Sequence, residues 1–184
     1  MKKNKGFTLV ELLAVIVILA IIMIIAIPAV LQTMQSARQK TFKEYVTKVY
    51  TAAQNSYLSD TTLAGAGNGK GVDTIKVTDT KTPTPEVRTC VGYDVATGLG
   101  LSSVGSYTGA VLVCPSNDMN GKINILVRLQ DGNYNTNGWI NYTSKGENFE
   151  LKNGAGSSYE LGFTSATPEA DRKFTLTNNV VFAN

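Results

Sequence analysis

FTLVELLAVIVILAIIMIIAIPAVL, residues 7–31, decides how the chain is organised. Glu11 is the single charge in it, and the twenty residues from Leu12 to Leu31 are apolar throughout, with Pro28 the one helix breaker. About twenty such residues are enough to cross a bilayer as a helix. A cleaved secretory signal is the competing reading, but its apolar core is shorter and ends at an A-x-A-like site. No such site lies within the run or just after it, and no cysteine follows for lipid attachment. Charge leaves the orientation open, because Lys2, Lys3 and Lys5 on one side face Arg38, Lys40 and Lys43 on the other.

Beyond the run the pattern turns amphipathic without a break. Phe42, Tyr45, Val46, Val49, Tyr50, Ala53 and Tyr57 recur at steps of three and four, while Lys40, Lys43, Lys48 and Gln54 fall elsewhere. Ser59, Asp60, Thr61 and the glycines after them end the stripe. A continuous helix over 7–59 would reach roughly 80 Å at 1.5 Å per residue. No small domain needs that length for its own core, so about half of it must be buried in something else.

Composition changes near residue 60. No glycine lies between Phe7 and Ala64, whereas sixteen of the seventeen fall in 65–184, which favours helix before the change and turns and strands after it. Val111–Cys114, Lys122–Leu129, Trp139–Thr143 and Phe149–Leu151 are rich in β-branched and aromatic residues. They are separated by the turn signals Asn120-Gly121, Asp131-Gly132, Asn137-Gly138 and Asn153-Gly154. Tyr159–Phe163, Lys173–Thr177 and Asn179–Phe182 add short strands, while 61–88 and 94–109 read as surface loops, the second with room for a short strand. The expected fold class is α+β: a long N-terminal helix over 7–60, packed by its aromatic stripe on one apolar face of a small antiparallel β-sheet domain over 61–184. That is a ladle with a long handle.

Several function classes drop out. The formal charge of +3 comes from the three leading lysines; from Phe7 onward 14 Lys and Arg balance 14 Asp and Glu, so no specific nucleic-acid partner is expected. There is no histidine, hence no common general base or metal ligand. Residues 65–71 miss the phosphate-loop pattern at both ends, since Ala64 stands at its first position and Gly71 at its last. Asp118-Met119-Asn120-Gly121 offers two oxygen-bearing side chains in what reads as a hairpin turn, too few for calcium. The glycosylation sequon at Asn141-Tyr142-Thr143 falls in an expected strand. No serine or threonine has a base placed to activate it, so no catalytic residue, metal or cofactor is expected.

Cys90 and Cys114 form neither a CxxC pair nor a zinc site. In an exported protein a disulfide is the default, worth about 3 kcal/mol in the chain-entropy model. Two buried free thiols are the alternative, since spacing alone does not bring sulfurs together.

The N-terminus carries the sharper signal. A basic leader (Lys2-Lys3-Asn4-Lys5), then Gly6, Phe7 and an acid at the fifth position from that phenylalanine, followed by the apolar run, resembles the type IV pilin family, which includes pseudopilins and competence pilins. The resemblance is close over residues 1 to about 35 and only architectural afterwards. It implies a leader peptide at 1–6, cut between Gly6 and Phe7 by a membrane peptidase that also methylates the new Phe7 amine. It implies that 7–31 leaves the membrane to form a filament core with other pilin subunits, driven by an inner-membrane assembly platform and its ATPase. The place of such a chain is the cell membrane first and then the extracellular pilus.

Glycine at position 6 leaves the scissile bond uncrowded. A carboxylate at the edge of an apolar span persists only with a partner or a route to water. Glu11 therefore has three readings: it snorkels, it complements the positive helix terminus, or it pairs with a neighbour's Phe7 amine and sets register, as the resemblance implies. Phe7 and Glu11 also lie one turn apart, which allows an intramolecular pair before assembly. Pro28 cannot donate to the Ile24 carbonyl, so a kink or local opening is expected there. The resemblance adds that this region is often unwound in filaments. The rival functions are a pseudopilin of a secretion or DNA-uptake apparatus and a membrane-anchored binding module that never polymerises. A sortase-linked pilin would need an LPxTG-like signal, which the sequence lacks.

Overall fold

The structure, a computed structural model, describes residues 7–63, 71–80, 85–101, 107–115, 122–146, 148–155, 159, 161–162, 166–176 and 182. One helix, α1 (Leu9–Leu63), opens the chain, which divides into two compact units, Met1–Thr41 and Phe42–Asn184. In the first unit every described residue up to Thr41 is exposed.

The second unit starts with the remainder of α1. Phe42, Val46, Val49 and Ala53 are completely buried, at helical spacings of four, three and four, and Tyr45, Tyr50 and Tyr57 pack beside them. This is the stripe expected from the sequence. It lies on a sheet made of β1 (Val72–Asp79), β2 (Glu86–Asp94), β3 (Thr108–Pro115), β4 (Ile123–Gln130), β5 (Tyr134–Asn135), β6 (Ile140–Asn141), β7 (Lys152–Asn153) and β8 (Lys173–Leu176). The strand order is β7-β5-β4-β3-β2-β1-β8, with β6 also on β4. Rings lock the two layers together: Tyr45 stacks on Tyr107 at 3.9 Å, and Phe42 meets Tyr107 and Tyr134 at 6.0 and 6.4 Å. Burial pushes the Tyr45 and Tyr107 hydroxyls above the usual phenol value, and the charge of Asp131 adds to it at Tyr107. Near the helix end the Tyr93 hydroxyl donates to Asp60 over 2.8 Å.

Several expectations need correction. The sheet is buried on both faces, not one. Along β3, Val111 and Val113 face the α1 cluster, while Ala110, Leu112 and Cys114 join a second cluster with Val72, Ile75, Val77, Leu126, Leu161, Leu176 and Phe182. Leu161 and Phe182, which lie outside the described strands, help to cover this second face. The sheet is also not wholly antiparallel, because β8 runs parallel to β1.

The expected loop over 61–88 contains β1 and the start of β2. Register slips between Val72 and Ile75, and Thr74 has φ 60°, so an extra residue breaks the two-residue alternation that marks a strand. Phe149–Leu151 is not a strand; the pairing falls just beyond it in β7. After Ile140–Asn141 the expected strand over Trp139–Thr143 turns into the short helix α2 (Tyr142–Lys145). Among the described residues of Tyr159–Phe163 none is in a strand: Tyr159 and Leu161 are buried and anchored by bonds to the Asn135 and Asp94 side chains, and Gly162 leaves extended geometry at φ 75°. Most of Asn179–Phe182 lies outside the described residues.

The two glycine turns around β5 differ. Asp131-Gly132 closes the β4–β5 hairpin, where the Asp131 carboxylate accepts from the amides of Asn133 (2.8 Å) and Tyr134 (2.7 Å). Asp131→Ala removes both bonds and should cost about 1–2 kcal/mol in a urea melt. Asn137-Gly138, φ 53° and 90°, is instead a bulge inside one extended run. The run pairs with β4 before it (Gln130↔Asn135) and after it (Val127↔Ile140).

Candidate functional site: the start of the long helix

The first turn of α1 is closed by its own side chains. The Thr8 amide and hydroxyl both donate to Glu11 Oε2, at 2.8 and 2.9 Å, and the Glu11 amide donates back to Thr8 Oγ1 at 3.4 Å. This is a capping box, in which residues three apart satisfy each other's orphan groups at a helix start. Sequence reading weighed Glu11 against the helix terminus as a whole and overlooked Thr8. The signal was present in Thr8-Leu9-Val10-Glu11, a Thr-x-x-Glu directly before an apolar run. The cap uses only one carboxylate oxygen: among the described residues Oε1 accepts no hydrogen bond. Glu11 can therefore cap its helix and still offer an oxygen to a cation.

Phe7 stands next to this cap and is 88% exposed, while Gly6 lies outside the described residues. The helix that follows has a window of mean hydropathy 3.3 with none of it buried, long and apolar enough to cross a membrane. Its large side chains all face outward; Leu12, Ile18 and Ile24 are 62, 57 and 73% exposed. So much apolar surface is stable only in lipid or against other apolar chains. The helix is continuous through Pro28, which supplies no amide hydrogen to Ile24. One turn later the Thr33 hydroxyl donates to the Ala29 carbonyl at 2.9 Å.

The remaining sequence signals sit elsewhere. Cys90 and Cys114 are joined as a disulfide in the second core cluster, with Cα atoms 4.3 Å apart. Residues 65–70 and 118–121 lie outside the described residues. Asn141 of the sequon is 1% exposed and donates through Nδ2 to Asn124 Oδ1 at 2.8 Å, so folding hides it from a transferase. Among the described residues no three His, Cys, Asp or Glu side chains gather as a metal would require.

No curated protein and no solved structure matches the chain. The match is to a family model described as the prokaryotic N-terminal methylation motif, over residues 1–27. This pilin-like α+β chain thus carries the class III prepilin leader that is typical of the type IV pilin and pseudopilin family.

Proposed function

We propose that this chain is a type IV pilin, a structural subunit that polymerises into an extracellular filament serving adhesion, aggregation or surface motility. One observation carries the reading: a helix whose apolar N-terminal part is exposed all round begins within the methylation motif. The leader implies processing by a prepilin peptidase. Cleavage falls between Gly6 and Phe7 and leaves a mature chain of 184 − 6 = 178 residues, whose Phe7 amine is then methylated.

Before assembly 7–31 spans the cell membrane. Lipid tails are as apolar as leucine, so apolar side chains lose little on moving from bilayer to helix bundle. Close packing among copies, with work from an ATPase-driven platform, then decides the balance. Glu11 is the exception, because its charge needs a partner once water is gone. The open Oε1 meets the Phe7 amine of a neighbouring subunit and sets the axial register. Local opening at Pro28 lets the polymer stretch.

Intact-mass measurement of sheared surface filaments tests the proposal. The expected species starts at Phe7 and carries one added methyl group. Surface material that keeps residues 1–6 on every copy would overturn it. Filaments visible by electron microscopy only when this chain is expressed would separate a pilus from a short pseudopilus.

A further inference from the structure

Cys90 and Cys114 are both completely buried. They belong to neighbouring antiparallel strands, and continuing the register Val91↔Val113 by one residue sets them directly opposite each other. Their side chains lie on the face away from α1, in one buried cluster with Leu176 of β8 and with Leu161 and Phe182, which lie off the described strands. This cover is tied down at several points. The Leu161 amide donates to Asp94 Oδ1 at 2.8 Å, the Phe182 amide donates to Asp79 Oδ2 at 3.2 Å, and the Arg88 guanidinium lies 4.2 Å from the Phe182 ring centre. Leu161 presses so closely on β2 that a Cβ at Gly92 would fall 2.7 Å from its Cδ1.

A disulfide forms when a thiolate reaches a sulfur of an existing disulfide, and that needs physical access. The closed fold offers none at either cysteine. Leu161 and Phe182 both come later in the chain than either cysteine, whereas the β2–β3 pair is local and can form first. We infer that a disulfide-bearing oxidant joins Cys90 to Cys114 before Leu161 and Phe182 close over them, so that oxidation is a step in subunit maturation that precedes completion of the core. One thiolate attacks the oxidant and forms a mixed disulfide, releasing one oxidant thiolate. The second cysteine then attacks the mixed disulfide and releases the other. The subunit gives up two electrons and two protons, and the oxidant's disulfide ends as two thiols. The inference rests on the proposed export of this domain to an oxidising compartment, and not on polymerisation. A subunit that is exported and oxidised but never forms filaments keeps it and loses the proposed function.

The test uses the full-length chain in detergent, reduced and then offered oxidised glutathione or an oxidised Cys-x-x-Cys protein, both folded and in urea. Trp139, which meets Phe174 edge-on at 5.4 Å, reports closure of this layer by fluorescence. Both oxidants should act on the open chain, with the faster one identifying the source of the disulfide. The folded reduced chain should react on the order of 100-fold more slowly, as local opening limits access. Gly92→Ala, which crowds Leu161 together with Ile75, or Leu161→Ala, which removes the cover without touching β1, should recover at least about ten-fold of that loss. A reduced chain that cannot fold at all also supports the order. Equal rates for folded and open chains would overturn it, as would protection that neither variant relieves.

Discussion

Glu11→Gln lowers incorporation into filaments on the order of 100-fold while leaving cleavage and the helix start intact. Glutamine serves in a capping box as glutamate does, so the bonds from the Thr8 amide and hydroxyl survive the change. What disappears is the charge. If a neighbour's Phe7 amine docks on Oε1 in a dry filament core, the neutral amide would leave that ammonium buried without a counter-ion, a far larger loss than any change in the cap. The measurement is competitive: variant and parent chains are co-expressed, and their ratio in sheared filaments is compared with their ratio in the membrane by mass spectrometry. Equal ratios would reduce Glu11 to a helix cap and remove the register-setting role. Glu11→Ala loses both functions, so comparing it with Glu11→Gln separates capping from charge.

Phe42→Ala is expected to destabilise the second unit by about 3–5 kcal/mol, the range for removing a buried aromatic ring. Phe42 is completely buried and loses its contacts with Tyr107 and Tyr134 together. Against a typical total of about 5–15 kcal/mol this is a large fraction, and it should move the urea midpoint down by about 1–3 M. Leu58→Ala is the control on the same helix. Leu58 is 47% exposed, so its loss should stay within about 0.5 kcal/mol. If the two variants melt alike, the aromatic stripe does not hold the sheet as described.

The helix was legible because its two signals are local and strong: an unbroken apolar run, then a stripe at steps of three and four. The strands β3 and β4 were legible from dense β-branched content. β1 was not, since the bulge at Thr74 shifts every following side chain to the other face and hides the alternation. Nor was the bulge at Asn137-Gly138, because the same dipeptide marks a hairpin whenever the flanking strands pair with each other. At the helix start the charge on Glu11 drew notice while the hydroxyl on Thr8 did not. The difference matters, because the cap leaves one carboxylate oxygen open and so reconciles two roles that looked like alternatives.

Properties carried by short stretches of chain were settled by sequence alone: the methylation motif, a helix too long and too apolar to serve one small core, and an acid placed one turn after Phe7. Properties that depend on which distant segments meet were decided by tertiary structure. These are the second buried face of the sheet, the parallel pairing of β8 with β1, and the sealing of Cys90 and Cys114 beneath Leu161 and Phe182. The physical reason is that burial belongs to a packed surface. A leucine in a loop and a leucine in a core layer look the same in sequence until the partner that covers them is in place.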